Sequence, residues 1–93
     1  MQKKTTGKEM AQYLNLSEAA SELAINLAMN VKQRRSELAM TQAELSNRSG
    51  IATSHLSFIE RAKANPTLEI VQQIADALGC SAIDLLSKSP LER

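Results

Sequence analysis

Apolar residues recur at helical spacing along this chain, and no segment alternates in the manner of a β-strand. The first helical run covers residues 18–37 without Gly or Pro, and Ser17 precedes it as a candidate N-cap. Its apolar residues, which fall on roughly one face, are Leu23, Leu27, Val31 and Leu38. The pattern predicts one long amphipathic first helix.

Two shorter helical runs follow, separated by a single glycine. Thr41 and Glu44 have the Thr-x-x-Glu spacing of a capping box, so the first of these helices should begin at Gln42. It should end near Ser49, because Gly50 readily adopts the left-handed backbone of a tight turn. Two helices joined in this way have the layout of a helix-turn-helix motif. The apolar residues that would close a core between them are Leu45, Ile51, Leu56 and Ile59.

Two further helices are predicted after the motif. Thr67 can cap a helix that runs through Leu78, and Gly79 ends it. Ser81 and Asp84 repeat the capping spacing and start a short last helix. The apolar side of the longer helix is Leu68, Val71, Ile74, Ala75 and Leu78, and the short helix carries Ile83, Leu85 and Leu86.

Composition agrees with a small helical domain. The 93 residues suffice for one domain, and 43% apolar residues with only Tyr13 and Phe58 as aromatics predict an aliphatic core. Cys80 is the only cysteine and His55 the only histidine, so neither an internal disulfide nor a Cys/His metal cluster is expected, and no cofactor is implied. No segment approaches the roughly 18 apolar residues of a membrane helix, so we expect a soluble, cytoplasmic protein with no membrane partner.

Charge is distributed unevenly, although the net charge is only +1. Residues 32–63 carry six cations and three acids, whereas residues 64–93 carry two cations and four acids. A surface that is positive around the motif and negative behind it suits a protein that lays one side on a polyanion. Similar mixtures of charged residues also occur on ordinary solvated helices. Nucleic-acid binding is therefore inferred mainly from the helix-turn-helix motif. Because so few cations would bind phosphates weakly, dimerisation on two half-sites is expected.

From about Leu27 to Leu86 the sequence resembles the Cro/C1-type helix-turn-helix family of phage repressors and bacterial regulators, also called the Xre family. Gln42 opens the first motif helix, and Gly50 lies eight residues later at the turn. The segments that flank the motif match as well; they are Val31-Lys32-Gln33-Arg34-Arg35 upstream, and Ile59-Glu60-Arg61 with Asn65-Pro66-Thr67-Leu68 downstream.

The resemblance implies an all-α fold, a compact five-helix lambda-repressor-like domain. This domain would occupy residues 21–88, between a partly helical N-terminal extension at residues 1–20 and a tail at residues 89–93. The sequence departs from the family at two positions. Ser46 stands where the family prefers Ala at a close helix crossing, and Ala62 replaces the usual Gly after the Glu-Arg pair.

By the same resemblance, the second motif helix enters the major groove of double-stranded DNA. The residues implied to contact bases are Gln42, Thr53, Ser54, Ser57 and Phe58. The residues implied to contact phosphates are Arg34, Arg48, His55, Arg61, Lys63 and Asn65. The Thr53 methyl or the Phe58 ring can pack on thymine methyl groups, and Gln42 can also bond a phosphate. This helix has no Arg, Gln or Asn for bidentate base contacts worth about 1–3 kcal/mol each, so specificity should depend on DNA shape and on Gln42 or His55.

Several of these residues have structural interpretations as well. Arg35 and Glu60 match family positions that form a partly buried ion pair between the first helix and the motif. Phe58 could instead cover the motif against the linker or pack at a subunit contact, and His55 could be a solvent-facing residue. A dimer contact could come from the last helix, through Leu85 and Leu86, or from the N-terminal extension.

Three functional hypotheses follow, and none is enzymatic, because the sequence shows no nucleophile with a base, no paired carboxylates and no phosphate-binding glycine loop. The first is a small homodimeric transcriptional regulator, a repressor on an inverted-repeat operator with half-sites about 34 Å apart; restriction-modification controller proteins are one subclass. The second is an antitoxin-type regulator whose N-terminal arm, with a predicted helix at residues 8–16, also binds a protein partner. The third is an adaptor that has lost DNA binding.

Overall fold

The computed structural model describes residues 20–88, which form five α-helices and no strand. In chain order these are α1 (Glu22–Glu37), α2 (Gln42–Ser49), α3 (Thr53–Glu60), α4 (Leu68–Leu78) and α5 (Ala82–Leu86). The all-α, five-helix fold is therefore confirmed. The helix predicted at residues 8–16 lies outside the described residues, as do most of the N-terminal extension and the tail.

Helix α1 begins at Glu22, so the prediction of a helix from residue 18 is wrong. Ser21 is the N-cap, with extended backbone, and its hydroxyl accepts a hydrogen bond from the Ala24 amide at 3.0 Å. Serine is also tolerated inside helices, and neither Gly nor Pro marks this boundary, so the pattern alone concealed it. Ser17, the predicted cap, lies outside the described residues.

The predicted capping boxes are both confirmed. The Glu44 amide donates to the Thr41 hydroxyl at 3.0 Å, and the Thr41 amide donates to the Glu44 carboxylate at 2.8 Å. Ser81 and Asp84 exchange the same two bonds at the start of α5. Gly50 ends α2 with a φ of +78°, as the left-handed turn requires. These local bonds fix where α2 and α5 begin, and Gly50 fixes where α2 ends.

An aliphatic core holds the five helices together. Helix α1 packs against α3 and α5, α2 packs against α3 and α4, and α4 packs against α5. The core consists of Leu27, Val31, Met40, Leu45, Ile51, Leu56, Ile59, Val71, Ile74, Ala75, Leu78 and Leu85. All four apolar residues predicted to close the motif, from Leu45 to Ile59, are in this set.

Four residues assigned to apolar helix faces are in fact exposed. Leu68 is 80% exposed and Ile83 is 75% exposed, while Leu23 and Leu38 are each more than half exposed. Each lies at a helix end: in the first turn of α1, α4 or α5, or at the C-cap of α1. The helical period correctly assigns a residue to one face of a helix. It does not show whether the neighbouring helix is long enough to cover that residue.

Two buried asparagines on α1 hold the short helix α5 in place. The Asn26 side-chain amide donates to the Leu86 carbonyl at 3.0 Å, and that of Asn30 donates to the carbonyls of Leu85 at 2.9 Å and Ser87 at 2.7 Å. These bonds satisfy carbonyls that a helix C-terminus leaves without partners. Leu85 is fully buried and Leu86 packs against the core, so Leu85 does not offer the dimer contact considered above.

Two alanines adopt left-handed backbone. Ala39, in the turn between α1 and α2, has a φ of +53°, and Ala62, just after α3, has a φ of +56°. This conformation costs a residue with a side chain roughly 1–2 kcal/mol. Ala62 is the position at which the sequence departs from the glycine of the Cro/C1 pattern, and the structure shows that the turn is made nonetheless.

Candidate nucleic-acid interface

The N-terminus of α3 is exposed and lacks a side-chain cap. Its N-cap is Ala52, which forms no side-chain hydrogen bond, and its first turn contains no acidic residue. Thr53 and Ser54, the first two residues of the helix, are exposed. Uncapped amides and the positive end of the helix dipole favour an anion at this end. The structure therefore brings together two hydroxyl side chains and a helix terminus suited to a phosphate.

A buried ion pair fixes α3 against α1. Arg35 Nε donates to Glu60 Oε2 at 2.6 Å, and Nη2 of the same guanidinium donates to Glu60 Oε1 at 2.9 Å. A third bond joins Arg35 Nη1 to the Met40 carbonyl at 2.7 Å. Glu60 is only 4% exposed. The hydrogen bond to Glu60 raises the pKa of Arg35 above its ordinary value. The two bonds from one guanidinium to one carboxylate make the contact bidentate.

Gln42 belongs to the same network. Its side-chain amide donates to Glu60 Oε1 at 3.0 Å, which connects the start of α2 to the end of α3. A glutamine amide has two N–H groups, so one remains for another acceptor. The structure thus places Gln42, half-buried, at the junction of α1, α2 and α3. Its orientation is set by Glu60 rather than left to solvent.

Phe58 in α3 and Arg61, the C-cap of this helix, form a stacked pair. The Phe58 ring is 48% exposed, and the Arg61 guanidinium carbon lies 4.9 Å from the ring centroid. Arg61 Nε also donates to the Ser57 carbonyl at 3.3 Å. Their spacing of three residues on a helix is the signal that could have revealed this contact. His55 and Ser57, the remaining predicted residues of α3, are half-buried.

The predicted phosphate contacts are spread over several segments. Lys63 and Asn65 are exposed in the segment directly after α3, and Arg48 is exposed in the last turn of α2. Arg34 is half-buried in the last turn of α1, next to Arg35. Hydrogen bonds from Ser81 lower the pKa of Asp84, in the first turn of α5, below its ordinary value, and the Arg34 charge lowers it further.

Other sites are not evident in the described part of the chain. Among residues 20–88 no group of His, Cys, Asp or Glu could hold a metal ion, and no helix there is long and apolar enough to cross a membrane. Cys80 is half-buried and packs against the core, and this burial raises the pKa of its thiol. It acts as a packing residue.

The helices described above match a known protein family. The Helix-turn-helix family pattern matches residues 31–85, more than half of the chain. The chain therefore belongs to this family, in its Cro/C1-type branch, and carries the DNA-binding fold of transcriptional regulators rather than that of an enzyme.

Particular relatives are known by sequence and by structure. Over 58 residues the chain is 38% identical to the uncharacterized HTH-type transcriptional regulator y4dJ of Sinorhizobium fredii, a match covering 62% of this chain and 75% of that protein. It is 28% identical over 67 residues to the immunity repressor protein of Bacillus phage phi105, covering 72% of this chain but only 46% of that repressor. The crystal structure of the hypothetical transcription factor NHTF from Neisseria superposes with a TM-score of 0.71 and 33% identity, covering 83% of this chain and 90% of that one.

Proposed function

We propose that this protein is a cytoplasmic transcriptional repressor that binds an inverted-repeat operator in double-stranded DNA as a homodimer. The observation that carries the proposal is the exposed, uncapped N-terminus of α3, with Thr53 and Ser54 on it, held in fixed orientation by the network of Arg35, Gln42 and Glu60. A rigid helix with a polar exposed face fits the major groove.

Binding would divide between base and backbone contacts. Thr53 and Ser54 reach base edges at the start of α3, and Ser57 and Phe58 extend this reading along the helix. Gln42 uses its second amide N–H for a phosphate. Contacts of this second kind set the register of the protein on DNA without reading sequence.

Further phosphate contacts would lie on either side of α3. Lys63 and Asn65, exposed after the helix, follow the adjacent backbone, and Arg61 does so from the end of α3. The remaining phosphate-side candidates are Arg34, Arg48 and His55.

Dimerisation is inferred from the small number of cations, and repression from a relative. One domain presents few cations to phosphate, so two copies on half-sites about 34 Å apart would strengthen binding and explain an inverted repeat. A bound dimer of this size would act by occupying a promoter. The relationship to a phage immunity repressor supports repression.

The test begins with selection of duplexes from a random library, followed by affinity measurements against salt. Lys63→Ala should weaken binding to all sequences alike and reduce the slope of log K against log salt by about one. Lys88→Ala, which removes an exposed lysine beyond α5, is the matched control and should leave the slope unchanged. Failure to bind any duplex at about 50 mM salt would favour the adaptor hypothesis. Sedimentation of the protein with its selected duplex should show two chains per operator.

A further inference from the structure

The exposed face of Phe58 is an unusual feature of α3. A phenyl ring that is 48% exposed lies on a helix whose other outward residues carry hydroxyls. Its helical neighbours on the same face are Ser54, four residues before it, and Arg61, three residues after it. Burial of this ring against a ligand would release apolar surface from water. A ligand for this surface must therefore present an apolar group that fits between a hydroxyl and a guanidinium.

Phenylalanine and arginine are both enriched at protein interfaces, so this pair alone does not distinguish a protein partner from DNA. DNA is favoured by the same helix, because its exposed, uncapped N-terminus suits one phosphate and Arg61 can bond another. The apolar group that the major groove presents is the C5-methyl of thymine, and phenylalanine is among the side chains that contact it.

The ring is also held in position before any ligand binds. Arg61 covers it at 4.9 Å and is itself bonded to the Ser57 carbonyl. Arginine has five N–H donors, and this bond uses one of them. The others can bond a DNA phosphate while the guanidinium plane stays over the ring, so backbone binding and ring position are coupled.

We propose that Phe58 selects a thymine, through its C5-methyl group, at one base pair of each half-site, and that Arg61 is a positioning residue for the ring. This inference rests on the proposed function, because it requires α3 to lie in the major groove. It adds a specificity determinant to a helix that has no side chain for bidentate base contacts.

The test replaces each thymine of the selected duplex by deoxyuridine, which removes only the methyl group. Deoxyuridine at one position per half-site should weaken binding of the wild-type protein about fourfold, which is the loss expected for one buried methyl group. Phe58→Ala should bind the unmodified duplex more weakly and should lose this sensitivity, so that both duplexes bind equally. Phe58→Leu, which keeps apolar bulk, should retain part of it. Circular dichroism should show unchanged helix content in both variants, because the ring is exposed.

Arg61 is tested by a variant that preserves its charge. Arg61→Lys should leave the salt dependence nearly unchanged and reduce the deoxyuridine effect to below about twofold, since lysine lacks the planar group that stacks on the ring. Lys63→Ala is the matched control: it should weaken both duplexes equally and keep the effect at its full size.

Each contrary outcome has a distinct meaning. If wild-type protein binds a selected duplex specifically but no thymine position responds to deoxyuridine, this inference is wrong and the proposed function stands. The same holds if Phe58→Ala remains as sensitive as wild type. Tighter binding to the single strand than to the duplex would show that the ring stacks on unpaired bases and would overturn it too. Absence of any duplex binding would overturn both proposals.

Discussion

Removal of the Arg35 side chain should destabilise the domain severely. In Arg35→Ala, the Glu60 carboxylate would keep only its bond from Gln42, although it is 4% exposed, and the Met40 carbonyl would lose a donor. Removing one partner of a buried ion pair commonly costs about 3–5 kcal/mol. The Arg35 side chain is 20% exposed, so water can partly replace it and the lower end of this range applies. A loss of about 3 kcal/mol in a domain of this size lowers Tm by roughly 12–24 °C.

Urea unfolding and thermal melting, both followed by circular dichroism, measure this loss. Arg34→Ala is the matched control, since it removes the neighbouring arginine, which lies outside the network, and it should cost no more than about 1 kcal/mol. Arg35→Met combined with Glu60→Met should be more stable than Arg35→Ala, because no buried charge is left alone. Equal stabilities for Arg35→Ala and Arg34→Ala would show that the ion pair with Glu60 does not stabilise the domain.

Three further predictions concern the backbone, the helix contacts and acid. Ala62→Gly should stabilise the domain by about 0.5–1 kcal/mol in urea unfolding, because glycine relieves the left-handed backbone strain at a smaller entropic cost. The control Ala43→Gly, within α2, should instead destabilise the domain by about 0.5–1 kcal/mol. If both variants were less stable than wild type, Ala62 would not be strained. Asn30→Ala should cost about 2 kcal/mol and speed hydrogen exchange in α5, because two carbonyls lose their donor; unchanged exchange would show that these bonds do not hold α5. Hydrogen bonds from Thr41 and Ser81 lower the pKa values of Glu44 and Asp84 in the folded state. The stability that these two carboxylates contribute is therefore present above their unfolded-state pKa values of about 4, and it is lost as the pH falls through their folded-state pKa values. The melting temperature should therefore decrease as the pH is lowered below about 4, and it should decrease less steeply in a Glu44→Gln and Asp84→Asn double variant. An equal decrease in the wild type and the double variant would show that these two carboxylates do not cause it.

Local interactions account for what the sequence predicted well. The capping boxes of α2 and α5 and the turn at Gly50 each depend on residues within four positions of one another. Their spacing is therefore visible in the sequence. The core of the motif followed for the same reason, since helical period assigned its residues once the helix ends were known.

Contacts between distant segments account for what sequence reasoning missed. Asn30 lies 55 residues from Leu85, whose carbonyl it bonds, and Gln42 lies 18 residues from Glu60. Nothing local in the sequence joins these pairs, although two asparagines four residues apart on the apolar face of α1 were a signal that this face bonds another segment. The exposure of Leu68 and Ile83 depends likewise on where neighbouring helices end.

Insertion of α3 into the major groove of DNA would change the surroundings of its exposed residues more than those of any other helix. Titration of ¹⁵N-labelled protein with its selected duplex, followed by amide chemical shifts, tests this directly. The largest shifts are expected at Thr53, Ser54 and the segment from Lys63 to Asn65, with small shifts around Asp84 in α5. Large shifts in α5 with an unchanged α3 would contradict this insertion.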